Sequence, residues 1–290
     1  MRPLRVIVNP HAGGGRAGRL LPTVTEALDA LSVPHRLEQT RSLEHARSLA
    51  RDAADAGELP VAMGGDGLIG AVVDALCARP EATIGVIPGG RGNDFARKLG
   101  IPSDIAAACE TLVSGEPRPV DVANVDGRSY LGIASVGIDS DIQVIANATR
   151  LPLGNNVYTY ATLRALGSWK HARFHVRADD RELDFVGFSV AVANSGIFGG
   201  GMRLSPDSRL DDGVLEVVMF ESTSKRRYLR NLPRVFKGTH VKDRGCVIFP
   251  ATSVTIECDR QFDVYADGDP IALLPATVGV SRAAIRVIAP

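Results

Sequence analysis

A chain of 290 residues can build two cores with a cleft between them, and 45% hydrophobic against 23% charged residues excludes the disordered and fibrous classes. Lys plus Arg equals Asp plus Glu at 33 each, so no net field draws the protein to nucleic acid, and any pull toward a membrane needs a local patch. Four cysteines without a CxxC pair suit a reducing cytosol and argue against a zinc site.

The first ten residues lack a long apolar run and a small-residue cleavage site, so a cytoplasmic protein without a signal peptide is expected. Strand 4–8 leads to helix 20–31, strand 59–63 to helix 68–78, and strand 84–87 to helix 93–99. This strand, glycine turn, helix order predicts a parallel sheet with helical crossovers, whose loops converge at the carboxyl ends of the strands. From about Asp121 the period changes to two, with strands at 171–178, 185–193, 214–220, 253–258 and 262–266, and helices at 157–168 and 225–236. Residues 277–288 read as strands that close a sandwich or return to the first domain, and the pattern leaves both open. The longest apolar stretch, 185–202, is interrupted by Asn194, Ser195 and five glycines, so any membrane contact is expected to be peripheral. The fold class is therefore a Rossmann-like α/β domain over 1–122, then an antiparallel β-sandwich over 123–290, with a cleft between.

Three glycine loops carry the chemistry. Asn9, Gly13 and Gly14 lie where a strand hands over to a helix, so bare amides can approach a phosphate. Gly13, Gly15 and Gly18, with Glu38 twenty residues on, also satisfy a dinucleotide fingerprint. Gly65, Gly67 and Gly70 satisfy the same spacing, so the pattern discriminates poorly, and the Asn9–Pro10–His11–Ala12 turn is longer than that fingerprint allows. In the second loop, Gly64–Gly65–Asp66–Gly67, a carboxylate sits where a phosphate would, and a cation resolves the repulsion; Mg²⁺, which takes carboxylate plus phosphate oxygens, suits it. The alternative is a tight turn closed by Asp66. The third loop, Pro88 to Asp94, adds Arg91 as a charge and Asp94 as a metal ligand, with Asn93 or Asp94 as a plain helix cap the competing reading. No HExxH or GxSxG pattern occurs, and the histidines read as structural.

Together these loops resemble the diacylglycerol kinase catalytic family, the bacterial soluble lipid kinases in particular. The likeness runs on through Asp121–Val122, 135–139, Ser205–Pro206–Asp207, Leu210–Asp211–Asp212–Gly213 and Asp267–Gly268–Asp269, so it spans nearly the whole chain. The resemblance implies an ATP-dependent kinase acting on a lipid hydroxyl. It implies nucleotide contacts at Asn9, Gly13, Gly14, Thr40, Gly64, Gly65, Asp66, Gly67, Leu68, Gly70, Arg91 and Asn93. It implies catalytic Mg²⁺ at Asp66, Asp94 and Asp121, and a structural Mg²⁺ held by the Asp212 carboxylate and the carbonyls of Arg209 and Val214. A plain Asp-Asp-Gly turn competes with that second ion, but leaves Asp211 and Asp212 without an evident counterion. Asp267–Gly268–Asp269 stands where the family has Asp-Gly-Glu, so Asp269 or Asp267 is the expected general base, with Asp66 also catalytic. Leu68 and Arg91 replace two family threonines, and only Arg91 brings a donor that compensates.

Residues 225–244 hold eight Lys or Arg interleaved with Tyr228, Leu229, Leu232, Val235 and Phe236, with Pro233 expected to kink the helix. This segment is expected to touch anionic lipid at the inner face of the membrane, or else to be a solvated helix face. Two other functions stay open: a kinase like NAD kinase, which shares the Gly-Gly-Asp-Gly loop, and a catalytically degenerate nucleotide or lipid sensor. Self-association as a homodimer stays open as well.

Overall fold

The computed structural model describes residues 2–149 and 157–290. The first half contains strands β1 (Leu4–Val8), β2 (His35–Gln39), β3 (Leu59–Gly64) and β4 (Thr83–Pro88). Between and after them come helices α1 (Ala12–Arg19), α2 (Leu21–Ala30), α3 (Leu43–Asp55), α4 (Asp66–Leu76), α5 (Asp94–Lys98) and α6 (Ile105–Ser114). The four strands pair in parallel in the order β2-β1-β3-β4, as the alternating pattern predicts. Both faces are covered, which explains the continuous apolar runs. Leu4, Val6 and Val8 of β1 pack with Val24 and Leu28 of α2 and with Ile105 and Leu112 of α6. Ile7 points the other way, into a layer with Leu49 of α3 and Ile69, Val72 and Leu76 of α4.

The pattern missed β2, α3 and α6. β2 is an edge strand whose only large apolar residue is Leu37, and α3 buries a stripe of Ala46, Leu49, Ala50 and Ala53 that carries little hydrophobic signal. Its start is nonetheless marked, because Ser42 caps the His45 N–H.

β5 (Glu116–Val125) opens the second half, and residues 122 and 123 both lie inside it. There follow β6 (Arg128–Tyr130), β7 (Ile133–Gly137), α7 (Ile138–Ala148), α8 (Val157–Ser168), β8 (Ala172–Ala178), β9 (Arg181–Ala193), β10 (Ile197–Phe198) and β11 (Met202–Arg203). Next come β12 (Leu215–Glu221), α9 (Lys225–Phe236), β13 (Cys246–Ala251), β14 (Ser253–Cys258), β15 (Asp263–Ala266), β16 (Asp269–Leu273) and β17 (Ala276–Ala289). The antiparallel strands enclose an aromatic core in which Trp169 and Phe188 rings lie 6.4 Å apart and Phe174 stacks on Phe262 at the same distance.

The open question about the last strand resolves as both readings at once. The first residues of β17 pair with β14, Ser253 opposite Gly279, while its last residues run parallel to β4, Arg286 opposite Thr83. β5 pairs along almost its whole length, across a bulge between Ser281 and Ile285. One continuous sheet therefore joins the α/β half to the sandwich. Among the described residues no helix is long and apolar enough to cross a membrane.

Candidate active site

The three glycine loops meet backbone against backbone at the carboxyl ends of β1, β3 and β4. Gly89 and Gly90 both donate their N–H to the Gly64 carbonyl, at 2.8 and 3.0 Å. A Cβ on Gly90 would lie 2.5 Å from the Gly65 Cα, and one on Gly13 would lie 2.8 Å from the Gly89 carbonyl oxygen. No side chain fits between these loops, which is why glycine is needed at each contact. Gly13, Gly14 and Gly15 are all left-handed, with φ of 62°, 69° and 83°, so α1 becomes regular only beyond them. Thr40 joins the rim because its N–H donates to the Val8 carbonyl at 2.7 Å.

Asp66 projects from the start of α4 and accepts from the N–H of Asp94 at 3.2 Å and of Phe95 at 3.0 Å. The cap of α5 is thus supplied by Asp66, not by Asn93 or Asp94. Asn93 is left-handed and spends its amide on its own loop: Oδ1 accepts from Gly90 N–H at 2.8 Å and Nδ2 donates to the Gly90 carbonyl. Leu68 is 3% exposed and turned under Gly64, so its side chain packs in the core.

Asp94 sits beside Asp66, since a Cβ on Gly92 would meet Asp94 Oδ2 at 3.1 Å and Asp66 Oδ2 at 3.5 Å. Its Oδ2 accepts from Gly200 N–H at 2.8 Å, whereas its Oδ1 is buried without a hydrogen-bond partner. Burial raises the Asp94 carboxyl above the usual range; the Gly200 N–H pulls the other way and the Asp66 charge adds to the rise. Gly200 comes from the second half and was not singled out in the sequence, although three successive glycines there were the available signal. All three are left-handed, with φ of 59°, 81° and 112°.

Asp121 does not join the pair. It is fully buried, with Oδ2 accepting from Gly213 N–H at 2.6 Å and Oδ1 from Ala283 N–H at 2.7 Å. Its carboxylate ties β5 to the loop before β12 and to the β17 bulge. Asp267 is likewise committed: at φ 52° in the β15–β16 turn, it accepts from the N–H groups of Leu131, Gly132 and Ile133. Crowding by protein atoms raises its carboxyl, those three donors pull it back, and Asp66 lies near enough for its charge to add to the rise. Asp269 follows on the same turn, exposed, and makes no side-chain hydrogen bond among the described residues.

Arg91 is exposed, and its Nη2 would lie 3.8 Å from a Cβ on Gly14, so the guanidinium stands over the first glycine loop. Arg209, Asp212 and Val214 lie on the loop before β12. Asp212 Oδ1 accepts from Val214 N–H at 3.0 Å, and Arg209 grips Asp211 with two bonds at 3.0 and 3.3 Å. Asp211 therefore has the counterion that the sequence did not reveal.

Residues 3–125 match the family model described as diacylglycerol kinase catalytic domain, and residues 132–289 match the YegS C-terminal NAD kinase beta sandwich-like domain. The chain is 32% identical over 249 residues to a diacylglycerol kinase of Mycobacterium tuberculosis strain H37Rv, covering 83% of this chain and 80% of the relative. It is 29% identical over 283 residues to a diacylglycerol kinase of Bacillus subtilis, covering 95% and 92%. The fold is similar to the crystal structure of a diacylglycerol kinase from Bacillus anthracis, with TM-score 0.77 at 22% identity, over 100% of this chain and 97% of that one.

Proposed function

Because the chain belongs to the diacylglycerol kinase family, we propose that it moves the γ-phosphate of ATP onto the hydroxyl of diacylglycerol or a related lipid. The observation that carries this reading is the meeting of Asp66, Asp94 and Gly200 over three abutting glycine loops. Phosphoryl transfer asks the protein mainly for positioning and charge stabilisation, which such loops provide.

Asp66 and Asp94 would hold a Mg²⁺ ion. The buried Asp94 Oδ1, which among the described residues makes no hydrogen bond and has only the Arg97 Nε at 3.9 Å as an ionic neighbour, and the neighbouring Asp66 carboxylate fit a cation that takes one or two carboxylates plus phosphate oxygens. When bound, that ion neutralises charge on the β- and γ-phosphates. The amides of the first and second loops bind the phosphates, and Arg91 donates its planar fork over Gly14. Gly200, on the sandwich side, fixes the Asp94 carboxylate across the cleft.

Of the two acids on the β15–β16 turn, Asp269 is the general base in this reading. Its carboxylate accepts the proton as the acceptor oxygen attacks the γ-phosphorus and the bond to the ADP oxygen breaks. Asp267, with its oxygens tied to three N–H groups, holds the turn that presents Asp269. Contact with anionic lipid falls to α9 and the residue after it: Arg226, Arg230 and Lys237 are exposed and Phe236 is 55% exposed.

The test incubates the protein with labelled ATP and MgCl₂ and, in turn, diacylglycerol, a sphingoid base, phosphatidylglycerol and NAD. Label on a lipid, lost in a folded Asp66→Ala variant, supports the proposal. Label on NAD alone, or on none of the four, refutes it.

A further inference from the structure

The loop 205–213 lies between the two halves and is rich in carboxylates: Asp207, Asp211 and Asp212 sit on it and Glu216 follows on β12. It is fastened at four points. Leu210 is 6% exposed in the α/β core, its carbonyl accepts from the Asp121 N–H at 2.6 Å, and Gly213 N–H donates to the Asp121 carboxylate. The remaining fastening is a cation. Lys98, the last residue of α5, reaches across and donates from Nζ to the Ser208 carbonyl, a contact that spans 110 residues of sequence.

Two of the carboxylates on this loop already have partners. Asp211 is gripped by the Arg209 fork, and Asp212 Oδ1 closes its turn on Val214 N–H. The methylenes of Arg282 pack against Gly213, at 2.9 Å from where its Cβ would be, and the Arg282 charge favours ionised Asp211. Burial lowers the Lys98 ammonium and the nearby Arg203 charge adds to the effect, while the Asp207 and Asp212 carboxylates act in the opposite direction. Those two carboxylates also raise the Glu216 carboxyl after burial has done so, so all four groups share one electrostatic neighbourhood.

A divalent ion held by the Asp212 carboxylate and the carbonyls of Arg209 and Val214 does not fit this arrangement. Asp212 Oδ1 is already bonded to the Val214 N–H, and a second cation brought into the neighbourhood of the Lys98 ammonium is repelled. We infer that Lys98 is the built-in cation of the 205–213 loop, fastening it to α5 and standing in for the divalent ion that the family resemblance implies there. The consequence is architectural. α5 carries Asp94, and Asp66 caps its first turn, so the Lys98 bond couples the loop to the candidate catalytic carboxylates without any metal.

Thermal unfolding without nucleotide tests this independently of the kinase reading, because no turnover is measured. The full chain carries Asp66→Asn throughout, so that cation binding at the Asp66–Asp94 pair does not contribute. The expected result is one midpoint in EDTA and in millimolar MgCl₂. Adding Lys98→Met lowers the midpoint in EDTA, and MgCl₂ then restores about 2–4 °C, as the ion enters the site the ammonium has left. A parent whose midpoint rises with MgCl₂, with the rise abolished by Asp212→Asn, overturns the inference. So does a Lys98→Met variant with the parent's midpoint and no response to MgCl₂. If Lys98→Met does not fold, the parent's response to MgCl₂ decides alone.

Discussion

Replacing Asp121 by Asn separates architecture from chemistry where the two halves join. The side chain is fully buried, and its two oxygens take the N–H groups of Gly213 and Ala283 at 2.6 and 2.7 Å. An amide of the same shape keeps one acceptor and turns an NH₂ toward the other donor. The loss of one charge-assisted bond costs about 1.5–3 kcal/mol and the stranded N–H about 1–3 kcal/mol more, together about 3–5 kcal/mol. Urea unfolding followed by circular dichroism reads this as a lower midpoint with an unchanged slope. Binding of an ATP analogue with MgCl₂, measured at low temperature where the variant is still folded, is expected to change far less. A variant with the wild-type midpoint and lost nucleotide binding would refute the structural role and return Asp121 to the metal.

Burial pushes the Asp139 carboxyl up to about 6, with Ser189 beside it pulling the other way. Against an unfolded value of 3.8, the favourable contribution of the protonated group is complete below about pH 4 and is lost as pH rises through about 6. Asp139→Asn should therefore match wild type near pH 4 and exceed its stability by about 2–3 kcal/mol near pH 7; equal or lower thermal midpoints near pH 7 count against this. Gly90→Ala forces a Cβ to within 2.5 Å of the Gly65 Cα, so the second and third loops must part and ATP affinity should fall by at least about tenfold in calorimetry. Wild-type affinity in that variant would mean the loops do not act as one cradle. The protein should sediment with anionic but not neutral liposomes, less so in salt, and changing Arg226, Arg230 and Lys237 to Gln should remove about 1 kcal/mol each. Equal partition into neutral liposomes contradicts an electrostatic contact through α9.

The glycine loops were legible because their chemistry is local. Glycine at a strand end declares a close backbone approach, whatever the rest of the chain does. About half of the strand positions followed for a similar reason, since burial on two faces leaves unbroken apolar runs and burial on one leaves alternation. What stayed hidden in the sequence were the partners of polar groups. Asn93 and Asp66 belong to neighbouring loops, yet which of them caps α5 depends on how β3 and β4 lie side by side.

Asp121 and Asp267 look equivalent to Asp66 as letters, and only the fold commits their oxygens to the amides of Gly213, Ala283 and residues 131–133. The sequence by itself determined that glycine loops at strand ends, carboxylates within them and two unlike halves are present. Only the tertiary structure decided which carboxylates are left free, that β17 stitches both halves into one sheet, and that Lys98 reaches Ser208. The physical reason is that a side chain's role is set by whether its hydrogen-bonding capacity is already spent, and the groups that spend it come from segments far apart in the chain.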